Sequence, residues 1–226
     1  MIDYRSALRE KAEGDIAGFN ARLIPGGGKF LGVRIPIIRN LAKEIAKGDW
    51  RSFIDEADDE YVEYVMLQGM TIGCVNTDLD ERLTYLRRFI PKVRNWAVCD
   101  TCQYKSKNKE REQYWEFLRP YLNTPSEFGM RFAVIAILSN FIDEEYIDRV
   151  IEIMDRTKHD GYYLKMGIAW TISACFVKFP EKTMDYLKNN TLDDFTFNKS
   201  LQKITGSFRV DDDTKSIIRG MKRKRT

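Results

Sequence analysis

The residues best suited to chemistry lie in one short stretch, residues 94–100. Asn95 is a good helix N-cap, and the four-residue step from Trp96 to Asp100 places an indole and a carboxylate on one face of the helix that follows. A flat, electron-rich ring beside an anion is suited to positive charge. The stretch therefore predicts a pocket that stabilises a cation.

Two later residues, Arg131 and Trp170, complete this site in our interpretation. Each lies within an apolar helical run, where an isolated arginine or an additional tryptophan needs a reason. Simpler explanations exist for each residue alone. Tryptophans of an all-α protein are usually core residues, and Arg131 can be a structural ion-pair partner of Asp100.

Composition limits the class of protein. A chain of 226 residues, 43% hydrophobic and 31% charged, can bury the core of one domain or of a continuous array. A net charge of +3 does not by itself indicate polyanion binding, so any such activity must come from the distribution of charge. Because no secretion signal or long apolar run is present, we expect a cytoplasmic protein without a membrane span.

The chain reads as successive helices without sustained strand alternation, which predicts an all-α fold. We predict a first helix over residues 2–19 and then a flexible Pro-Gly-Gly-Gly loop at residues 25–28. Later helix starts are predicted at Pro36, Asp49, Asp58, Asp78, Asn95, Asn108, Thr124, Asp143, Asp160, Pro180 and Asp193. The best of these signals is at residues 124–127, where Thr-Pro-Ser-Glu has the pattern of a capping box.

The predicted helices form pairs whose first members begin near residues 49, 78, 108, 143 and 180. The second helix of each pair tends to be longer and apolar on more than one face, as in the inner helices of a stack. We therefore predict a single domain over residues 1–226, an α-α superhelix (solenoid) of HEAT-like helix pairs with a concave groove. Residues 221–226 are predicted to be a flexible basic tail. Trp96, Asp100, Arg131 and Trp170 all fall on predicted inner helices.

The four cysteines do not have the pattern of a disulfide framework, so we expect reduced thiols at Cys74, Cys99, Cys102 and Cys175. Cys99 and Cys102 form a C-x-x-C pair, but the pair lacks the preceding strand of a thioredoxin-like motif and a second ligand pair. The only histidine is distant in sequence. We expect no metal and no cofactor, and keep redox or zinc chemistry as the alternative for this pair.

Basic residues cluster at two places. Lys105, Lys107, Lys109 and Arg111 follow the Asn95 helix, where they can meet phosphate, and residues 222–225 end the chain as Lys-Arg-Lys-Arg. Terminal charge runs of this kind are usually solvated.

A set of short motifs follows one order along nearly the whole chain. The motifs are Phe-Leu-Gly-Val-Arg-Ile-Pro at 30–36 with Arg39 and Leu-Ala-Lys at 41–43, Asn95-Trp96 with Asp100, Arg-Phe-Ala at 131–133, Ile-Ala-Trp at 168–170, Leu-Gln-Lys-Ile at 201–204 and Ser-Phe-Arg-Val at 207–210. In this order they resemble the DNA alkylation repair family of AlkD-like glycosylases.

The resemblance implies a HEAT-like superhelix with a basic concave face for duplex DNA. It also implies hydrolytic release of cationic N3- or N7-alkylated purines without a metal, and we expect a monomer. By position, Trp96 and Trp170 resemble the catalytic aromatic residues, Asp100 the carboxylate and Arg131 the arginine. The residues that we assign to DNA contact are Lys105, Lys107, Lys203 and Arg209.

This chemistry suits those residue types. An alkylated purine is already cationic and leaves as a neutral base, so the barrier lies in the oxocarbenium ion that develops on the deoxyribose. Asp100 would stabilise that cation and orient water, and each indole would contribute about 0.5–2 kcal/mol. Arg131 would hold a phosphate or position Asp100.

The sequence departs from the family pattern around Leu23, where family members carry an aromatic residue near the lesion, and in the loop at residues 25–28. This departure keeps a second hypothesis open. The chain would then be a noncatalytic helical-repeat protein that binds DNA or a protein partner through the same groove.

Overall fold

The computed structural model describes residues 2–224, which are all-α apart from one isolated β-bridge between Lys29 and Tyr61. The chain divides between Glu110 and Arg111 into two compact units. Within the described part, none of the helices has the length and apolar character needed to cross a membrane. The predicted fold class is confirmed.

The first unit has seven α-helices between residues 4 and 101. They are α1 (Tyr4–Glu10), α2 (Gly14–Leu23), α3 (Ile35–Ile45), α4 (Trp50–Glu56), α5 (Val62–Cys74), α6 (Leu79–Phe89) and α7 (Trp96–Thr101). Short 3-10 helices occupy Ile90–Lys92 and Asn108–Glu110. Helix α5 packs against α3, α6 and α7 and is therefore the centre of this unit.

The second unit has seven α-helices as well. They are α8 (Arg111–Leu118), α9 (Glu127–Asn140), α10 (Ile147–Arg156), α11 (Tyr162–Lys178), α12 (Pro180–Lys188), α13 (Asp194–Thr205) and α14 (Asp212–Gly220), with a 3-10 helix at Arg119–Asn123. Helix α11 packs between α9 and α13, and α10 and α12 also pack against it. Helices packed on both sides thus alternate with outer helices, as expected from the sequence.

Several local helix signals act as predicted because the cap and its target lie three residues apart. The side-chain oxygen of the N-cap residue accepts the backbone N–H three residues later in α4, α6, α7 and α13. These caps are Asp49, Asp78, Asn95 and Asp193.

The predicted helix over residues 2–19 was wrong, because two helices occupy this segment. Helix α1 ends at Glu10 with Lys11 as its C-cap, and the backbone N–H of Glu13 donates to the carbonyl of Gly32 (3.1 Å) instead of continuing the helix. Gly32 has a φ of +86°, and a Cβ at this position would collide with the backbone of Glu13. The motif at residues 30–36 therefore packs closely on the start of α2 through this glycine.

Two predicted N-caps, one in each unit, form ion pairs and do not cap a helix. Asp58 does not cap α5, whose N-cap is Tyr61; its carboxylate instead pairs with Arg5 at 2.7 Å. Asp143 lies four residues before α10 and pairs with Arg111. In both cases a partner from another helix binds the carboxylate that local pattern assigned to a helix start.

The predicted capping box at residues 124–127 was also wrong. Ser126, not Thr124, is the N-cap of α9 and accepts the N–H of Gly129 at 3.1 Å. Glu127 is the first residue of the helix, and its carboxylate binds the next inner helix, as described below. Asp160 likewise does not cap α11, because Gly161 is the N-cap residue there.

The C-terminal region was described incompletely by the sequence pattern. Helix α14 was not predicted, although Asp211 caps it by accepting the N–H of Thr214 at 2.8 Å. The tail that was predicted to be flexible is anchored at Arg223, whose guanidinium donates to the carbonyl of Leu192 at 2.7 Å. Arg225 and Thr226 of that tail lie outside the described residues.

Gly69 allows α5 and α7 to approach closely. A Cβ at this position would overlap the ring of Phe89 and would lie 2.7–2.8 Å from the Cβ and Sγ of Cys102, which follows α7. These neighbours are buried and cannot move aside. Gly69 therefore controls how α7, with Trp96 and Asp100, is seated.

We predict that Gly69→Ala lowers the free energy of unfolding by about 1–3 kcal/mol, because the added methyl group overpacks the core. Gly73→Ala, on the same helix, is the matched control. Its Cβ would meet only the carbonyl of Gln103, at 3.7 Å. The control should be neutral or stabilising by up to about 1 kcal/mol, and urea denaturation of both variants would measure the difference. Equal stability of the two variants would contradict the close contact.

Candidate active site

Asn95 fixes the start of α7 from two directions. Its Oδ1 accepts the N–H of Val98 at 3.0 Å, and its Nδ2 donates to the carbonyl of Gly27 at 2.9 Å. Asn95 is buried, so both bonds are shielded from water. The loop at residues 25–28, which was predicted to be flexible, is thereby tied to the helix that carries Trp96 and Asp100.

Trp96 and Asp100 lie one helical turn apart on α7, and both are half-buried. The opposite side of this short helix is formed by Ala97, Val98 and Cys99, which are buried. The helix is thus held by its apolar side and by its cap. Trp96 and Asp100 themselves keep part of their surface exposed.

Trp96 borders an apolar cavity of about 230 Å³ in the first unit. Leu23, Phe30 and Met66 contribute to its walls. Leu23, at the position where the sequence departs from the family pattern, is 49% exposed. The departure therefore lies beside the predicted catalytic aromatic residue.

Glu63 shapes the wall of this cavity and was missed by the sequence analysis. Its buried carboxylate accepts the backbone N–H groups of Leu31 (2.9 Å), Gly32 (2.8 Å) and Val33 (3.3 Å). Three such bonds compensate a carboxylate for the loss of water. The sequence signal that could have identified Glu63 was its position inside the apolar run of α5. A carboxylate at such a position requires buried hydrogen-bond donors.

Arg131 lies on α9 and is buried in the second unit. Its Nη1 donates to the carbonyl of Tyr163 at 2.5 Å, and Glu127, one turn earlier, accepts the N–H groups of Tyr163 (2.5 Å) and Leu164 (3.2 Å). A Cβ at Gly161 would collide with the Glu127 carboxyl group and would displace it from this position. Glu127 and Arg131 of α9 thus bind backbone groups in the first turn of α11.

Trp170 lies on α11, is 41% exposed and borders a cavity of about 940 Å³. Lys203, from the end of α13, and Arg209, from the turn that follows, line the same cavity. The structure thus brings together one predicted catalytic residue and two predicted DNA contacts. Arg131 is not part of this lining.

Lys178 adds a cation to this cavity that the sequence analysis did not assign. Its Nζ donates to the carbonyl of Ile142 at 2.5 Å, which holds the side chain at the cavity. The available signal was the spacing of eight residues from Trp170, which places both residues on one face of a helix. Three cations and one carboxylate, Asp143, give the cavity a basic character suited to phosphate.

The other two predicted DNA contacts follow α7. Lys105 and Lys107 are exposed, and the ammonium of Lys107 lies 3.9 Å from the carboxylate of Glu110. That carboxylate also accepts the N–H of Lys107 at 2.9 Å and the hydroxyl of Tyr104 at 2.5 Å. Burial and the bond to Glu110 raise the pKa of Tyr104 to about 12. The backbone around the basic run is therefore ordered by Glu110.

The C-x-x-C pair is part of the packing of α7. Cys99 and Cys102 are buried, and burial raises the pKa of Cys102 to about 12. His159 accepts the N–H of Gly161 at 2.8 Å. Among residues 2–224, no three histidine, cysteine or acidic side chains are grouped to hold a metal ion. These observations favour the packing role of the pair over redox chemistry.

Comparison with known proteins places these features in context. The family model for DNA alkylation repair enzymes matches residues 4–204. A solved structure of a predicted DNA alkylation repair enzyme from Enterococcus faecalis is similar with a TM-score of 0.62 and 14% identity, over 88% of this chain and 97% of that chain. At this identity the likeness concerns the fold. No curated protein matches the chain.

We predict that a thiol reagent at pH 8 modifies one cysteine of the native protein, Cys74, which is exposed. Partial burial raises the pKa of the Cys74 thiol, so its labelling should be slower than that of a free thiol. Cys99, Cys102 and Cys175 are buried, and burial raises the pKa of Cys102 and of Cys175 to about 12, so neither forms a reactive thiolate. Four thiols should react after denaturation. Cys74→Ser is the control, and fast labelling of this variant in the native state would support a reactive C-x-x-C pair instead.

We predict that Glu127→Ala destabilises the protein by about 1–3 kcal/mol, because the N–H groups of Tyr163 and Leu164 lose their acceptor. Glu127→Gln keeps an acceptor oxygen and should cost less. Asp160→Ala is the matched control at the same helix start. Asp160 is fully exposed, and among residues 2–224 its carboxylate pairs only with Lys165, at 3.9 Å. Thermal denaturation would test this ranking of the variants. A larger effect of Asp160→Ala than of Glu127→Ala would support the sequence prediction that Asp160 caps α11.

Proposed function

The chain belongs to the DNA alkylation repair enzyme family, and we propose that it is a DNA glycosylase. Its substrate in this proposal is duplex DNA with cationic N3- or N7-alkylated purines, whose N-glycosidic bond it hydrolyses as a monomer without a metal or cofactor. The observation that carries the proposal is the half-buried pair of Trp96 and Asp100, one turn apart on helix α7, whose start is held by Asn95.

Asp100 supplies the negative charge that the reaction needs. The departing base is neutral, so positive charge accumulates on the deoxyribose as the bond breaks. A carboxylate beside the sugar lowers the energy of this oxocarbenium ion and orients the attacking water. Because α7 is fixed before substrate binds, little reorganisation is needed in the transition state, and such a group is worth roughly 3–4 kcal/mol.

Trp96 provides a ring surface next to Asp100. Its partial exposure leaves the indole available to a sugar or base, and its quadrupole favours positive charge by about 0.5–2 kcal/mol. The indole also borders the apolar cavity of the first unit. In the proposal, the indole packs against the deoxyribose of the damaged nucleotide.

The second unit contributes backbone recognition and a second ring in this proposal. Trp170 shares its cavity with Lys178, Lys203 and Arg209, and these cations suit phosphates of the bound DNA. Arg131 is oriented by its bond to Tyr163 and serves as a positioning residue or phosphate contact.

A noncatalytic DNA-binding protein is the second candidate. The basic cavity around Trp170 favours it, because phosphate binding there does not require Asp100. Leu23 beside Trp96 supports it as well, since no aromatic residue stands at that position. This function would give salt-sensitive DNA binding without release of a base.

We predict that purified protein releases free base from duplex DNA containing N7-methylguanine, and that Asp100→Asn slows single-turnover release by about 10²–10³-fold. The variant keeps the shape of the side chain but removes its charge. Glu56→Gln, at an exposed position at the end of α4, is the matched control for the loss of one negative charge and should leave the rate unchanged. DNA affinity should be similar in all three proteins.

Two results would contradict this proposal in different ways. An unchanged rate for Asp100→Asn would show that this carboxylate does not stabilise the transition state. Binding of methylated duplex by the folded wild-type protein without release of base would support the noncatalytic candidate. Circular dichroism of each variant would confirm that the fold is retained.

A further inference from the structure

A second basic cavity lies at the C-terminal end of the second unit and is separate from the one around Trp170. It has a volume of about 920 Å³ and is formed by α13, α14 and the residues that follow α14. Its lining includes one aromatic ring and five cations, namely Phe195, Lys199, Arg219, Lys222, Arg223 and Lys224. We call it the C-terminal pocket.

The wall formed by residues after α14 is held in place by Arg223. Asn198 exchanges two hydrogen bonds of 2.9 Å with the backbone N–H and carbonyl of Arg223. The guanidinium donates to the carbonyl of Leu192 (2.7 Å) and to Oδ1 of Asn190 (3.0 Å), and it lies 4.0 Å above the ring of Phe197. The chain is therefore folded back against α13, and the pocket is a built feature of the fold.

The charge of the pocket is strongly positive. Arg219, Lys222 and Lys224 are exposed, and among residues 2–224 none of the three has an ion-pair partner. Asp194, the one carboxylate in the lining, already lies 3.4 Å from the guanidinium of Arg223. Cations gathered in a concavity without compensating carboxylates create a site for an anion.

The pocket and the Trp170 cavity use different faces of α13. Phe195, Lys199 and Gln202 line the C-terminal pocket at helical spacings of four and three, whereas Lys203 lines the Trp170 cavity. Adjacent residues of an α-helix point about 100° apart. One strand could therefore not reach both sites through the same face of α13.

We propose that the C-terminal pocket binds the phosphates of a DNA strand outside the candidate active site. The inference rests on the proposed function only in taking DNA as the ligand of this protein. Phosphates supply the anionic partner that three cations require. Phe195 adds a ring on which a base can stack, a combination typical of sites for single strands.

The experiment compares two triple variants of the full chain that lose the same charge. Arg219→Gln, Lys222→Gln and Lys224→Gln remove three cations of the pocket. Arg156→Gln, Lys182→Gln and Lys188→Gln remove three exposed cations of α10 and α12 as the control. Fluorescence anisotropy at several salt concentrations measures the affinity of each protein for undamaged duplex and for single strands of the same sequence.

We expect the pocket variant to lose roughly 10-fold or more in affinity, and its log-log salt slope to become shallower by about 2–3, as three phosphate contacts would require. The control should change both quantities much less. Equal effects of the two triples would show that only net charge matters and would overturn the site. An unaltered pocket variant, or no DNA binding by the wild type, would overturn it as well.

The arms of the experiment identify the source of the phosphate. A larger loss on single strands, together with a loss in Phe195→Ala, supports a strand that stacks its bases, and a larger loss on duplex supports the outer backbone of a helix. Both outcomes support the phosphate site. Binding of millimolar inorganic phosphate to the pocket, together with a DNA affinity that does not depend on the pocket cations, would assign the pocket to small anions. That outcome would contradict the proposal.

The result is separable from the glycosylase assay. Base release at saturating DNA depends on Asp100 and should be unchanged in the pocket variant, because binding is then complete. Loss of affinity without any base release in the wild type would leave the pocket supported and the glycosylase function contradicted. Normal base release with unchanged affinity in the pocket variant would support the glycosylase function and contradict the phosphate site.

Discussion

Backbone groups at the ends of packed helices must find partners, and this requirement organises both units. The first N–H groups and the last carbonyls of a helix have no partner within it, and burial makes an unpaired group costly. Charged side chains from neighbouring elements meet the requirement here. Glu127 binds the N–H groups at the start of α11. In the segments that adjoin helix ends, Glu63 binds the N–H groups of residues 31–33, Lys178 the carbonyl of Ile142 and Arg223 that of Leu192.

These bonds also determine where the functional side chains stand. Glu127 and Arg131 grip the first turn of α11, and that helix then carries Trp170 two turns further on. Asn95 joins α7 to the loop at residues 25–28 and so positions Asp100. Catalysis by a fixed charge depends on such preorganisation, because a group already in place costs nothing to arrange when the barrier is crossed. The polar contacts that stabilise the repeats therefore also support the proposed chemistry.

The local distribution of charge, and not the net charge, distinguishes the two basic cavities from the rest of the surface. Cations around Trp170 and in the C-terminal pocket exceed the carboxylates near them, whereas many helices elsewhere pair cations with acids of the neighbouring helix, as Lys182 does with Asp148. A net charge of +3 conceals this contrast. Association with a polyanion follows local potential, so a nearly neutral chain can present two basic concavities.

The sequence by itself determined whatever depends on neighbours along the chain. The all-α fold, the cap at Asn95 and the shared face of Trp96 and Asp100 follow from spacings of three and four residues. Tertiary structure decided the rest. Whether Glu127 caps its own helix or the start of α11, 36 residues later, depends on how two helices pack, and the grouping of Lys178 with Arg209 arises in the same way. Local pattern contains no information about such distant partners, because only the folded chain brings them within reach of a hydrogen bond.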